Sequence, residues 1–337
     1  MTSQILSMNR KEVIMSSEDV ETIGSAKTYS GVDKLFSISD NPPIALMFHG
    51  PPIFGGIPME TLISEFKEKT KNERMKSVLD AKFRLLSFIG EVTPKHNLDS
   101  FIRHYLKIYK QDLKKKHFKN ISEKEFFEEI NSYQKEIPLF LRKYTLNESY
   151  FDNILPDFIK KDKKDLNMRL WRAFTEIITF GGVGIVIAGF DDDYHFSTFT
   201  NFNMILNNNG KIETVEIETK VNISNPSIRV YATTTGADLF LNGIDNQIEN
   251  KLIELLVNEN EMDETTVKMS MNDMKNDFKK SIENSIEWLP KKERLELNYT
   301  LIYLTALKQK ISPAIETVGG NIHSCILEKD KEIEWIS

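Results

Sequence analysis

The sequence predicts an α+β protein, and three observations carry that expectation. The first fifty residues fall into short apolar runs broken by turn residues, and they end on Ile44-Ala45-Leu46-Met47-Phe48. A run of that length suits a buried strand better than a helix. The segments Phe196 to Leu206 and Ile212 to Ile223 alternate in character around Asn207-Asn208-Asn209-Gly210, and Asn-Gly between alternating segments is a strong hairpin signal. Elsewhere apolar residues recur at helical spacing, as at Leu62, Ile63 and Phe66 and again at Leu297, Leu301 and Leu304. Strands, then helices, then strands, then helices and a closing hairpin describe α+β rather than alternating α/β architecture.

Composition narrows the class. The 337 residues are 40% hydrophobic and 28% charged, as in a soluble globular protein, and are expected to form a single domain. A formal charge of −6 argues against a general nucleic-acid binder. The lone Cys325 excludes an intramolecular disulfide and a cysteine-rich metal site, and it suits a reducing cytoplasm. No apolar run reaches the ~18 residues of a membrane span, and the N-terminus lacks the basic-then-apolar layout of a signal peptide.

The elements follow in order. Short runs around Ile5 and Val13-Ile14 read as paired strands joined at Asn9-Arg10-Lys11, where Asn9 can adopt a positive φ. Lys34 to Ile38 is a further strand, and Asn41-Pro42-Pro43 a turn leading into the Ile44 run. Pro58 opens a helix. A helical region, inserted or elongated, spans about 70–180; it carries a Ser122-x-x-Glu125 capping box and the basic clusters Lys114-Lys115-Lys116-His117 and Lys160 to Lys164, read as solvated helix faces. Gly181-Gly182-Val183-Gly184 lacks the Lys-Ser/Thr of a phosphate loop, so tight helix–strand packing is expected there. Asp191-Asp192-Asp193 lacks calcium-loop spacing and is expected to be a solvated turn. Ile228 to Ala232 is a strand, Thr235 the expected N-cap of the next helix, and Val257 to Thr266 an acidic loop. Two more helices precede Gly319-Gly320 and a closing hairpin over Ile322 to Ile336.

The N-terminal residues carry chemistry. Thr2 follows the initiator Met1 and is small enough for methionine removal to be expected. Removal would leave a free α-amine beside a hydroxyl, and such an amine can serve as the base that the hydroxyl needs. Glu18 stands sixteen residues beyond Thr2, and Lys34 sixteen beyond Glu18. With Val32-Asp33-Lys34-Leu35-Phe36 and Glu316-Thr317-Val318-Gly319-Gly320, these residues resemble the proteasome-type N-terminal nucleophile hydrolases, and more closely a family of uncharacterised bacterial proteasome-like proteins. The resemblance runs through the N-terminal strands and the C-terminal part of the chain and fades between them. Glu18 stands where that family has Asp, and the glycine of its first hairpin is absent.

The resemblance implies an αββα sandwich and a threonine-type amide hydrolase, in the first instance a peptidase. It implies Thr2 as nucleophile and amine base, and Lys34 as the charge that tunes it. Glu18, or Asp19 beside it, would orient Lys34, and Gly50 (with His49 as alternative) would donate an N–H to the oxyanion. A supporting hydroxyl would come from Thr234 or Thr235. It also implies a homo-oligomer acting on a peptide or protein substrate, with a possible unfolding partner. The chemistry requires no metal or organic cofactor. A non-catalytic scaffold and a small-substrate acylase are the alternative functions. Substitution of Thr2, Glu18 or Lys34 is expected to leave the fold intact, because none removes a large apolar group.

Overall fold

The computed structural model describes residues 2–23, 27–55, 57–92, 182–206, 212–260, 262–312 and 317–336. The two basic clusters, the Ser122 capping box and most of the expected helical region about 70–180 lie outside these residues.

The described chain is α+β with antiparallel sheets. The strands are β1 (Ser3–Met8), β2 (Glu12–Glu18), β3 (Glu21–Ile23), β4 (Lys27–Tyr29), β5 (Leu35–Asp40), β6 (Pro43–His49), β7 (Ile53–Phe54) and β8 (Ile57–Pro58). Helices α1 (Met59–Thr70) and α2 (Val78–Val92) precede β9 (Val183–Phe190), β10 (Ser197–Leu206), β11 (Ile212–Ile223) and β12 (Ser227–Ala232). Then come α3 (Thr235–Asn242), α4 (Asn246–Asn260), α5 (Glu264–Ile286) and α6 (Lys291–Lys310), followed by β13 (Ile322–Glu328) and β14 (Glu334–Ile336). One five-stranded sheet runs β12-β1-β2-β13-β14, the other β11-β10-β9-β6-β5.

The β1–β2 hairpin pairs Gln4 with Ser17 and Met8 with Val13. Its turn is not made by a positive φ at Asn9. Among described non-glycine residues only Asn222, Ala232 and Asp330 have positive φ. Instead the Asn9 side-chain oxygen accepts from the N–H groups of Lys11 at 2.9 Å and Glu12 at 3.1 Å, an Asx turn.

The central strands β1 and β2 of one five-stranded sheet and β6 and β9 of the other are buried on both faces. Alternation along β1 and β2 sends Leu6, Met8, Val13 and Met15 toward Ala45, Met47, Val186 and Phe199 of the other sheet. The opposite face of that second sheet, with Ile44, Leu46 and Phe48, packs on Leu62 and Phe66 of α1 and Leu85 of α2. Ile5 and Ile228 face the other way, onto Ala237 and Leu241 of α3, Ile286 of α5 and Leu301 of α6. No described helix is long and apolar enough to cross a membrane.

Four further local expectations differ from the structure. Asp191 is buried, not solvated: it accepts from the Val78 N–H at 2.7 Å and the Thr198 hydroxyl at 2.5 Å, so it holds the start of α2 against β10. The glycines before and within β9 admit neighbours within the sheets rather than a helix. A Cβ on Gly182 would stand 2.7 Å from the Met204 carbonyl oxygen, and one on Gly184 would stand 2.0 Å from the His49 ring. The helix expected after Thr235 is two helices, broken at Gly243 with φ 71°. The acidic segment expected as a loop is largely helical: α4 continues to Asn260, and α5 begins after Asp263, which caps it by accepting from Thr266 N–H at 2.8 Å.

Candidate active site

Three side chains from three strand ends converge. Thr2 precedes β1 and is fixed through its carbonyl, which accepts from the Thr233 N–H at 2.7 Å. Lys34 precedes β5, and its carbonyl accepts from the Phe48 N–H of β6 at 3.1 Å. Its ammonium donates to Thr2 Oγ1 at 2.8 Å and to Glu18 Oε1 at 2.8 Å. A third proton goes to the Val20 carbonyl. All three ammonium protons are therefore spoken for, which fixes the position of Nζ.

Glu18 ends β2 and is held as firmly. Its Oε2 accepts from the N–H groups of Val20 at 2.8 Å and Gly319 at 3.4 Å, and its Oε1 also accepts from Ser3 N–H at 3.4 Å. The Lys34 and Glu18 side chains are only 4% and 0% exposed. Burial pushes the Glu18 carboxyl above its ordinary range, opposed by the Lys34 charge and hydrogen bond and by the Val20 and Gly319 N–H groups. The pairing of Ile322 with Glu18 lays the chain after α6 over this carboxylate.

Asp19 does not contact Lys34. Its carboxylate accepts from Asn321 N–H at 2.9 Å and Asn321 Nδ2 at 3.2 Å, and its carbonyl accepts from Val32 N–H at 3.0 Å. Gly320 has φ 72°, and a Cβ there would stand 2.0 Å from Asp19 Oδ1. Asp19 thus ties the loop before β13 to the segment leading to Lys34. Gly50 follows β6 with φ 93°, and a Cβ on it would stand 2.9 Å from the Gly182 carbonyl oxygen.

The expected Thr234 or Thr235 hydroxyl is not what reaches Thr2. Thr234 is the N-cap of α3 and makes no side-chain capping bond, while Thr235 is the first helical residue. Thr233 does reach Thr2, through its backbone. Its own hydroxyl is buried and without a hydrogen-bond partner among the described residues. The Thr233 N–H, the Val20 carbonyl and the Gly319 N–H were not foreseen from the sequence. The signals were the run of three threonines after β12 and the Gly319-Gly320 step, whose places beside Thr2 and Glu18 could not be read without the sheet.

Behind the triad the space between the sheets is polar. Gln4 Nε2 donates to the Phe48 carbonyl at 2.7 Å and to Ser17 Oγ at 3.1 Å. The His49 ring stacks on Tyr231 with centroids 6.3 Å apart. Burial holds the His49 imidazole down at about 4 and pushes the Tyr231 phenol up. A cavity of about 240 Å³ opens at the edge between β2, β13 and β14 on one side and the start of β5 on the other. Lys34 and Glu18 line it; Thr2 does not. Among the described residues, no group of three or more His, Cys, Asp or Glu side chains could hold a metal ion. No family model matches the chain, and no curated protein matches it in sequence.

Proposed function

We propose that the protein is a threonine-type N-terminal nucleophile amide hydrolase of αββα architecture, acting on peptide amides. The observation that carries this reading is one ammonium, Lys34 Nζ, at 2.8 Å from both Thr2 Oγ1 and Glu18 Oε1 in a buried setting. After loss of Met1 the Thr2 amine takes the proton from Oγ1 as the oxygen attacks the amide carbon. Lys34 stabilises the charge that develops on Oγ1, and Glu18 keeps Lys34 charged and aimed. The oxyanion needs a fixed donor, and the N–H of Gly50 is the one proposed. Collapse expels the amine, which leaves with the proton held by the Thr2 amine. The same amine then deprotonates the water that cleaves the acyl ester.

Two measurements test the reading. Intact mass should show loss of one methionine from active protein. Folded Thr2→Ala should have lost hydrolysis of a peptide-amide library by about 10³-fold or more, as expected for a nucleophile; undiminished turnover would sink the assignment. A scaffold without activity is the second reading, favoured by a Thr2 that is only 4% exposed. It predicts retained Met1 and no turnover. The third, a small-substrate acylase, draws on a cavity of only about 240 Å³.

Assembly belongs to the same proposal. Ile248, Leu252 and Leu255 form an exposed stripe along α4 at 61%, 37% and 48%. Burial of that stripe between copies is expected to give a species heavier than a monomer by sedimentation at micromolar concentration.

A further inference from the structure

The edge cavity has a composition of its own. Its apolar lining is Val32, Leu35, Trp335 and Ile336, supplied by the chain before and at the start of β5 and by β14. At about 240 Å³ it is smaller than the ~300–1,000 Å³ typical of sites for drug-sized ligands. It has room for one long side chain rather than a folded segment.

Its charge is unbalanced. Lys34, the one lysine or arginine among the described residues lining it, is spent on Glu18 at 2.8 Å. Asp33 also lines the cavity, is exposed, and has no ion-pair partner among the described residues. Asp19 stands behind the lining, 3.8 Å from the Nε2 of His323, and its other carboxylate contacts are to the uncharged Asn321. The Asp33 carboxylate thus faces a small, partly apolar space with no lysine or arginine paired to it among the described residues. Trp335, 47% exposed, adds an indole face, and indole faces attract cations.

We infer that this cavity is a subsite for a cationic side chain, lysine or arginine, of the amide substrate. The methylene stem lies along Val32, Leu35 and Ile336, the charged head meets Asp33, and Trp335 is the specificity-determining wall. This rests on the hydrolase reading only for the word substrate; the binding itself does not require Thr2 to act.

The test is calorimetric titration of the full chain with N-acetyl-arginine amide, beside the uncharged isostere N-acetyl-citrulline amide and N-acetyl-norleucine amide. Arginine amide is expected to bind about tenfold more tightly than citrulline amide, as one charge in a partly desolvated site allows. Trp335→Ala should weaken arginine binding about fivefold or more, and Asp33→Asn about threefold or more with a smaller salt dependence. Both positions are exposed at the surface, so melting temperatures should stay within a degree or two of the parent. Thr2→Ala should bind as the parent does. Absence of binding at millimolar concentration overturns the subsite, as does citrulline amide binding as well as arginine amide, or a Trp335→Ala protein with undiminished affinity. Hydrolysis without preference for basic residues would remove the subsite and spare the hydrolase. Cationic binding with no hydrolysis would do the reverse.

Discussion

His49 shows how much a single residue can reveal. Its ring occupies space that Gly184 leaves open, and its Nε2 is buried without a hydrogen-bond partner among the described residues. Burial lowers its pKa from 6.5 to about 4, so the folded protein holds the ring neutral where the unfolded chain would protonate it. The unfolded state then binds more protons below the ordinary histidine range. Stability from this group is therefore full above 6.5 and is lost as pH falls toward about 4. Part of the residue reaches solvent, so the loss by pH 4.5 is put at about 2 kcal/mol. Urea unfolding at pH 7.5 and pH 4.5 should show His49→Gln losing about 2 kcal/mol less than the parent. Equal losses in the two proteins would remove His49 as the source. At this same scale Thr2, Glu18 and Lys34 were picked out by the resemblance their residues carry, and the β1–β2 hairpin, which pairs Gln4 with Ser17, is what brings the first two together. The sequence did not show that Asp19 serves Asn321 rather than Lys34, since neighbouring carboxylates at a strand end point to different sides and only the partner strand reveals which is which.

Among the elements, the loop between α6 and β13 is the one that builds the site from a distance. Gln309 on α6 accepts from the N–H groups of Thr317 at 2.8 Å and Val318 at 3.0 Å, which aims the next N–H, that of Gly319, at Glu18. The two adjacent glycines should respond oppositely to the same change. At Gly320 a side chain meets both a positive φ and the Asp19 carboxylate at 2.0 Å. At Gly319 a Cβ meets nothing within 4 Å. Gly320→Ala is expected to cost about 2 kcal/mol or more, and Gly319→Ala to stay within about 0.5 kcal/mol. Denaturant midpoints check this, and similar costs at both positions would show that the loop is not held by Asp19. The strands of this part were legible, since alternation and turn residues mark them. The split at Gly243 and the two helices that enter the acidic segment from its ends were not. There Asp263 supplies a cap within a polar stretch, and a cap of that kind reads as loop when no partner helix is in view.

Across the whole molecule the Lys34–Glu18 pair does more than tune a hydroxyl. Glu18 belongs to the sheet containing β1 and β2, and Lys34 leads into β5 at the edge of the other sheet. The pair is a buried ionic tether between the two layers. From the sequence, substitutions here were expected to leave the fold intact, because no large apolar group is lost. Burial of both side chains changes that expectation: removing one partner leaves a buried charge without its counterpart, which typically costs about 3–5 kcal/mol. Lys34→Met strands the Glu18 carboxylate, though three backbone N–H groups still serve it. Glu18→Gln strands the Lys34 ammonium on the Thr2 hydroxyl and the Val20 carbonyl. The double variant strands neither, and its glutamine can still accept from the N–H groups. It should therefore be more stable than the sum of the single losses implies by about 2 kcal/mol, and no less stable than Lys34→Met alone. Urea unfolding of the four proteins in a double-mutant cycle measures this directly. Additivity within about 0.5 kcal/mol would mean that the pair does not couple the sheets. The same cycle governs how activity is read, because a silent Lys34 variant counts against its chemical role only where its unfolding midpoint lies well above the assay conditions.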